Sequence, residues 1–155
     1  MNTETATYFA YGTLLDIDEM RKYCPSAEPT GLMHLKDHRL GFATCAADTG
    51  IGGCTLEKVP GYTTVGMLYT MPRSDKDALD AASGLDRELW ADFPVLLEKP
   101  AGGTVSSVTF TIPKTAGPWV PPETYTAPIL RGARQLNLDP AYIEDLQNII
   151  AAAGK

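Results

Sequence analysis

In this chain of 155 residues, about six strand-like stretches precede most of the helix-like sequence, and short turns join consecutive stretches. That order restricts the fold more than any other feature. It points to an α+β protein with a strongly curved, mixed or largely antiparallel sheet and helices packed outside it. Thr7 to Tyr11 is a run of β-formers ended by Gly12. Gly31 to Lys36 and Arg39 to Thr44 flank an Asp37-His38 turn, and Gly52 to Glu57 follows the Gly-rich turn Asp48-Thr49-Gly50. Pro60-Gly61 makes a further turn before Tyr62 to Met71. There Val65, Met67 and Tyr69 alternate with Gly66, Leu68 and Thr70, so both faces are expected to be at least partly buried. Trp90 to Glu98 and Val105 to Ile112 are joined through Pro100-Ala101-Gly102-Gly103, and Pro113 to Pro122 reads as an irregular surface crossing.

The helices announce themselves by their ends. Asp16 and Glu19 have capping-box spacing for a short helix through about Lys22, which Cys24-Pro25 then breaks. Ser74 is the expected cap of a second helix, with Ala78, Leu79 and Ala82 at helical spacing and Gly84 as its stop. Pro128 suits the first turn of a third, and Asp139-Pro140 opens a fourth with Ile143, Leu146, Ile149 and Ile150 on one face.

Composition narrows the function. An apolar share of 44% and a charged share of 21% fit one globular domain over residues 1–155. No apolar run approaches the roughly 20 residues needed to cross a bilayer. The opening Met1-Asn2-Thr3-Glu4-Thr5 has neither the basic nor the apolar region of a secretory signal, so a cytoplasmic protein without a membrane partner is expected. A net charge of −6, with scattered basic residues, argues against nucleic acid. Cys24, Cys45 and Cys54 match neither a redox pair nor a zinc framework and read as buried or half-buried thiols. His34 and His38 lie in strand and turn sequence with no carboxylate cluster, so no metal site is expected. The sequence leaves the oligomeric state open.

A ligand cradle is expected after the first strand. Gly12 lets the backbone approach a ligand, Thr13 offers a hydroxyl, and the helix that follows presents unpaired N–H groups. Tyr8-Phe9-Ala10-Tyr11-Gly12-Thr13-Leu14 resembles the Tyr-Gly-Ser/Thr-x-Leu signature of the γ-glutamylcyclotransferase-like family. Val65-Gly66-Met67-Leu68-Tyr69 is similar to that family's central strand. Leu79-Asp80-Ala81-Ala82-Ser83-Gly84 stands where the family has Leu-Asp-x-x-Glu-Gly. The tail Tyr125 to Ile150, with Gly132-Ala133 and Leu138-Asp139-Pro140-Ala141-Tyr142, resembles the C-terminal helices of longer, animal-type members. The matches fall in the family's order and cover most of the chain.

The resemblance implies a small, mixed, largely antiparallel β-barrel flanked by helices, with a pocket on Tyr11, Gly12, Thr13, Leu14 and Leu15. It implies a small-molecule γ-glutamyl substrate whose own α-amine attacks its γ-carbonyl, giving 5-oxoproline and releasing an amine without a cofactor. Such chemistry needs a held substrate, donors for the oxyanion, and one carboxylate to move the proton. Here Ser83 occupies the family's Glu position, and a serine without an adjacent histidine cannot serve as that base. The expected function is an enzyme that releases an amine from a γ-glutamyl amide by cyclisation to 5-oxoproline and, with Ser83 at that position, three readings stay open. The carboxylate has moved to Asp86 or Glu88; the pocket binds without turnover; or the fold serves a related small-amide reaction. Trp90 and Tyr125 are expected as pocket aromatics or core rings. Arg131 and Arg134 are candidates for a substrate carboxylate or for a solvated helix face, and Asp80 for a local hydrogen bond.

Overall fold

A computed structural model describes residues 4–153. Its strands are β1 (Thr5–Ala10), β2 (Glu28–Cys45), β3 (Asp48–Pro72), β4 (Ala91–Glu98), β5 (Thr104–Thr111) and β6 (Thr115–Pro118). Its helices are α1 (Ile17–Tyr23), α2 (Arg73–Ala82), α3 (Glu123–Gln135) and α4 (Pro140–Ala152). The sheet runs β1-β3-β2-β4-β5 with β6 added to β2, and each described ladder is antiparallel. The two ends of this order meet without a ladder. Thr7 and Ser107 share a hydroxyl hydrogen bond of 2.7 Å, Thr109 Oγ1 donates to the Phe9 carbonyl at 2.6 Å, and Tyr11 Oη donates to the Phe110 carbonyl at 2.6 Å. Residue numbers rise together across this seam, so β1 and β5 run in the same direction. The result is a nearly closed barrel with helices around it, the α+β class expected.

The longest strands differ from expectation in an instructive way. Residues 31–36 and 39–44 are one strand, as are 52–57 and 62–71. The turn-forming residues mark a bulge, not a reversal. Asp37 sits at φ 64° opposite Gly61 at φ 86°, and the Gly61 N–H donates to Asp37 Oδ1 at 2.9 Å. Pairing steps there from Lys36 with Thr63 to His38 with Lys58, which bends the ribbon and lets it wrap the core. The reversal between β2 and β3 is made at Ala46-Ala47, so Asp48-Thr49-Gly50 already belongs to β3.

Helix ends supply the other corrections. Asp16 caps α1 through the Asp18 N–H at 2.9 Å, whereas Glu19 pairs with Lys22 in place of closing a capping box. Helix α2 starts at Arg73, directly after the fixed φ of Pro72, so Ser74 lies inside its first turn and caps nothing. Helix α3 starts at Glu123, where the Tyr125 and Thr126 N–H groups both reach the Pro122 carbonyl. Pro128 is therefore interior; burial of Thr126, Pro128 and Ile129 offsets the bond it cannot donate. Part of the proline-rich crossing is strand β6, tolerated because it lies at an edge. The Asp139-Pro140 start of α4 and the left-handed Gly84 after α2 are as read.

Both faces of β1 and β3 are buried. Phe9 and Leu68 belong to the larger core, with Leu40, Leu97, Ile129 and Leu146, under α3 and α4. Tyr8, Met67 and Tyr69 belong to a second core, with Met20 and Leu79, under α1 and α2. The chain between β1 and α1 packs against α3 as well as α1, and it follows Tyr11, whose hydroxyl reaches Phe110, so the loop expected to bind a ligand lies at the end of the seam.

Candidate functional site

At that end lies a cavity of about 200 Å³, lined by the Tyr11–Leu14 loop, Cys54, Ser83, Trp90 and Tyr125, with Tyr8, Tyr23, Leu79, Ala82 and Phe110 completing the wall. The loop turns tightly. Its Leu15 N–H returns to the Gly12 carbonyl at 3.0 Å and Leu15 buries its side chain in the core, so Leu15 anchors the loop and does not line the cavity. Tyr11 contributes its ring, because its hydroxyl is committed to Phe110. The start of α1 is not an open anion cradle. Asp16, fully buried, caps it and is paired with Arg131. Arg131 therefore supports the loop from α3, away from the cavity lining, and Arg134 is exposed.

The far wall is built on β3. Gly53 has no side chain where Tyr125 and Trp90 pack; a Cβ there would lie 2.5 Å from Tyr125 Oη and 2.6 Å from Trp90 Cζ2. At Cys54 the backbone edge facing away from β2 is satisfied by side chains. Tyr125 Oη accepts from the Cys54 N–H at 2.8 Å, and Trp90 Nε1 donates to the Cys54 carbonyl at 2.8 Å. The two aromatics predicted from sequence are thus fixed by one residue that sequence reasoning missed. The Gly52-Gly53 pair inside a strand was the available signal, since glycine in a strand marks close approach of another group.

Among the described residues, no carboxylate lines this cavity. Ser83 does line it, at the C-terminal end of α2, with its N–H bonded to the Leu79 carbonyl at 2.9 Å. Asp86 and Glu88 do not. Gly84 at φ 69° opens a short turn over Leu85–Arg87, Glu88 takes φ 59°, and the Leu89 N–H returns to the Gly84 carbonyl at 3.1 Å. That geometry sends Leu89 inward and Asp86 to Glu88 outward. Asp80 makes the local bond expected of it, to buried Lys76, which also reaches Asp92 at 3.0 Å.

Burial keeps the lining groups protonated. It pushes the Cys54 thiol up to about 11, opposed by hydrogen bonds from Tyr125 and Thr13. It raises the Tyr8, Tyr11 and Tyr125 phenols well above the usual range, with Cys54 adding to each. Near neutral pH these four groups are neutral hydroxyls and a thiol, and none of them is a base. A larger cavity, about 640 Å³, lies between β2, β6 and α4, but the Arg39–Glu57 ion pair (3.2 Å) occupies its rim and it is remote from the loop.

No family model matches this sequence. A γ-glutamylcyclotransferase from Bos taurus is 26% identical over 151 residues, covering 94% of this chain and 79% of that protein. A solved structure titled γ-glutamyl cyclotransferase superposes with a TM-score of 0.85 at 25% identity, covering 93% of this chain and 87% of the other. YkqA from Bacillus subtilis superposes with a TM-score of 0.80 at 25% identity, covering 98% of this chain and 56% of that one.

Proposed function

We propose that this chain is a member of the γ-glutamylcyclotransferase-like family, to which it is similar over most of its length, and that its cavity holds the γ-glutamyl group of a small amide without cyclising it. One observation carries this reading: among the described residues, Ser83 and no carboxylate lines the cavity. Cyclisation requires a group that takes a proton from the substrate's ammonium and returns it to the departing amine. A serine hydroxyl cannot do this near neutral pH without a base beside it, and the neighbouring thiol and phenols are held protonated by burial. Recognition asks less of the site. The Thr13 hydroxyl, the tight loop and the Trp90–Tyr125 wall provide polar contacts and a shaped recess.

Calorimetry with a panel of γ-glutamyl amides should show saturable binding, while mass spectrometry of the same mixtures should show no 5-oxoproline above the uncatalysed level. Absence of binding across the panel would remove the reading, and sustained 5-oxoproline release would replace it with catalysis. Ser83→Glu puts the missing carboxylate at the end of α2. It should gain 5-oxoproline formation of at least about 100-fold over wild type, the scale of general acid–base catalysis. A second reading, turnover by the wild-type chain, is favoured by similarity to a protein named γ-glutamylcyclotransferase over 94% of this chain. The same 5-oxoproline measurement decides between the two.

A further inference from the structure

Of the ten residues of α2, two are buried, and one of them is a lysine. Leu79 enters the second core and the cavity wall. Lys76 is 1% exposed, and a buried ammonium needs acceptors to offset the water it gives up. It finds them in Asp80, one turn on in its own helix, and in Asp92 of β4 at 3.0 Å. Asp92 stands opposite Phe110 in the β4–β5 ladder, and the ammonium lies 5.0 Å from the centre of that ring. Phe110 is itself cavity wall, and its carbonyl takes the Tyr11 hydroxyl. Lys76 thus joins the helix that carries Ser83 to another wall of the same cavity.

The two buried side chains hold α2 in different ways. Burial of Leu79 is non-directional, so it fixes the depth of the helix more firmly than its rotation. A hydrogen bond is directional and sets rotation as well. Among the described residues, the Lys76–Asp92 bond is the hydrogen bond that joins α2 to β4. Asp75 ties the same turn to Cys24 and Ser26, which are not part of the cavity wall. Lys76, Leu79, Asp80 and Ser83 follow one another at helical spacing, so a rotation of α2 that breaks the Asp92 bond also carries Ser83 out of the cavity. Seven residues span about 10 Å of helix. The ammonium therefore acts on Ser83 through the helix and not by contact.

We infer that Lys76 is a positioning residue for the cavity: its bond to Asp92 sets the rotation of α2 and so aims Ser83 inward. This setting does not depend on what the cavity holds, so the test needs no ligand and stands apart from the outcome of the γ-glutamyl panel. Ser83→Cys places a thiol at the end of α2. A fluorescein iodoacetamide is too large for a recess of about 200 Å³, whereas iodoacetamide is small enough to enter. Peptide mass spectrometry gives the ratio of the two alkylation rates at that position, apart from the native thiols. In the Ser83→Cys background, Lys76→Met and Asp92→Asn should each raise the ratio of dye to small reagent about three- to fivefold, the shift that a partly exposed ion pair can hold. Asp80→Asn takes an acceptor from the same ammonium but within α2, and should leave the ratio unchanged whatever it costs in melting temperature. A ratio unmoved by Lys76→Met or by Asp92→Asn, or raised equally by Asp80→Asn, would overturn the inference. The Asp92 side chain is 42% exposed, so its variant decides the matter even where Lys76→Met fails to fold.

Discussion

At the scale of single residues, the site depends on a fit between Gly12 and Cys54. A Cβ at position 12 would stand 2.8 Å from Cys54 Sγ and 3.3 Å from its Cβ. The thiol occupies the space that a side chain at position 12 would need. Gly12→Ala should cost about 1–3 kcal/mol in urea denaturation, and Cys54→Ala alone about 1 kcal/mol for the lost contact. The double variant should be more stable than the sum of the two by at least about 1 kcal/mol, because removing the sulfur makes the room that the methyl needs. Additive losses would show that position 12 resists substitution for another reason. This scale was the most legible in the sequence. Tyr11 to Leu14, Ser83, Trp90 and Tyr125 all line one cavity. Cys54 was not foreseen as a lining residue, because its role comes from a strand edge whose exposure only the assembled sheet decides.

Between elements, the decisive link joins the loop to α3. Arg131 pairs with buried Asp16, and a Cβ at Gly132 would collide with the backbone of Leu15 and Asp16, so helix and loop touch main chain to main chain. Arg131→Ala leaves the Asp16 carboxylate buried with its Asp18 N–H alone. The expected loss is about 1–3 kcal/mol, below that of a fully buried pair because the guanidinium is half-exposed. Ligand affinity should fall with it, since the loop loses its support. A variant that keeps wild-type stability by chemical denaturation would show that the pair is dispensable. Elements were legible in kind more than in extent. Gly61 and Asp37 carry turn chemistry, and nothing local distinguishes a reversal from a bulge when both need left-handed backbone. What separates them is whether the flanking strands find the same partner, which is a property of the whole ribbon. Asp86 and Glu88 escaped the reading for a related reason. Their direction is set by Gly84 and by Leu89 seeking the core, and both act beyond a charge pattern.

For the molecule as a whole, buried acidic groups that prefer their protonated form govern behaviour in alkali. The Cys54 and Cys24 thiols are both raised to about 11, desolvation being the largest cause in each. A group raised on folding contributes its stability in full below its unfolded value, about 8.5 for a thiol, and loses it as pH climbs to the folded value. Stability should therefore decline between about pH 8.5 and pH 11, by up to about 1.4 kcal/mol per pH unit for each group. Thermal melts between pH 7.5 and 10.5 should show this slope, and Cys54→Ala should reduce it to the share that Cys24 contributes; a level Tm up to pH 10 would contradict the assignment. The seam between β1 and β5 has a consequence of its own. Elsewhere the distance between neighbouring strands is dictated by peptide geometry, but here it is dictated by the reach of Thr7, Ser107, Thr109 and Tyr11. The chamber at its end can accordingly be widened or narrowed one side chain at a time, with no strand changing register and no ladder between strands broken.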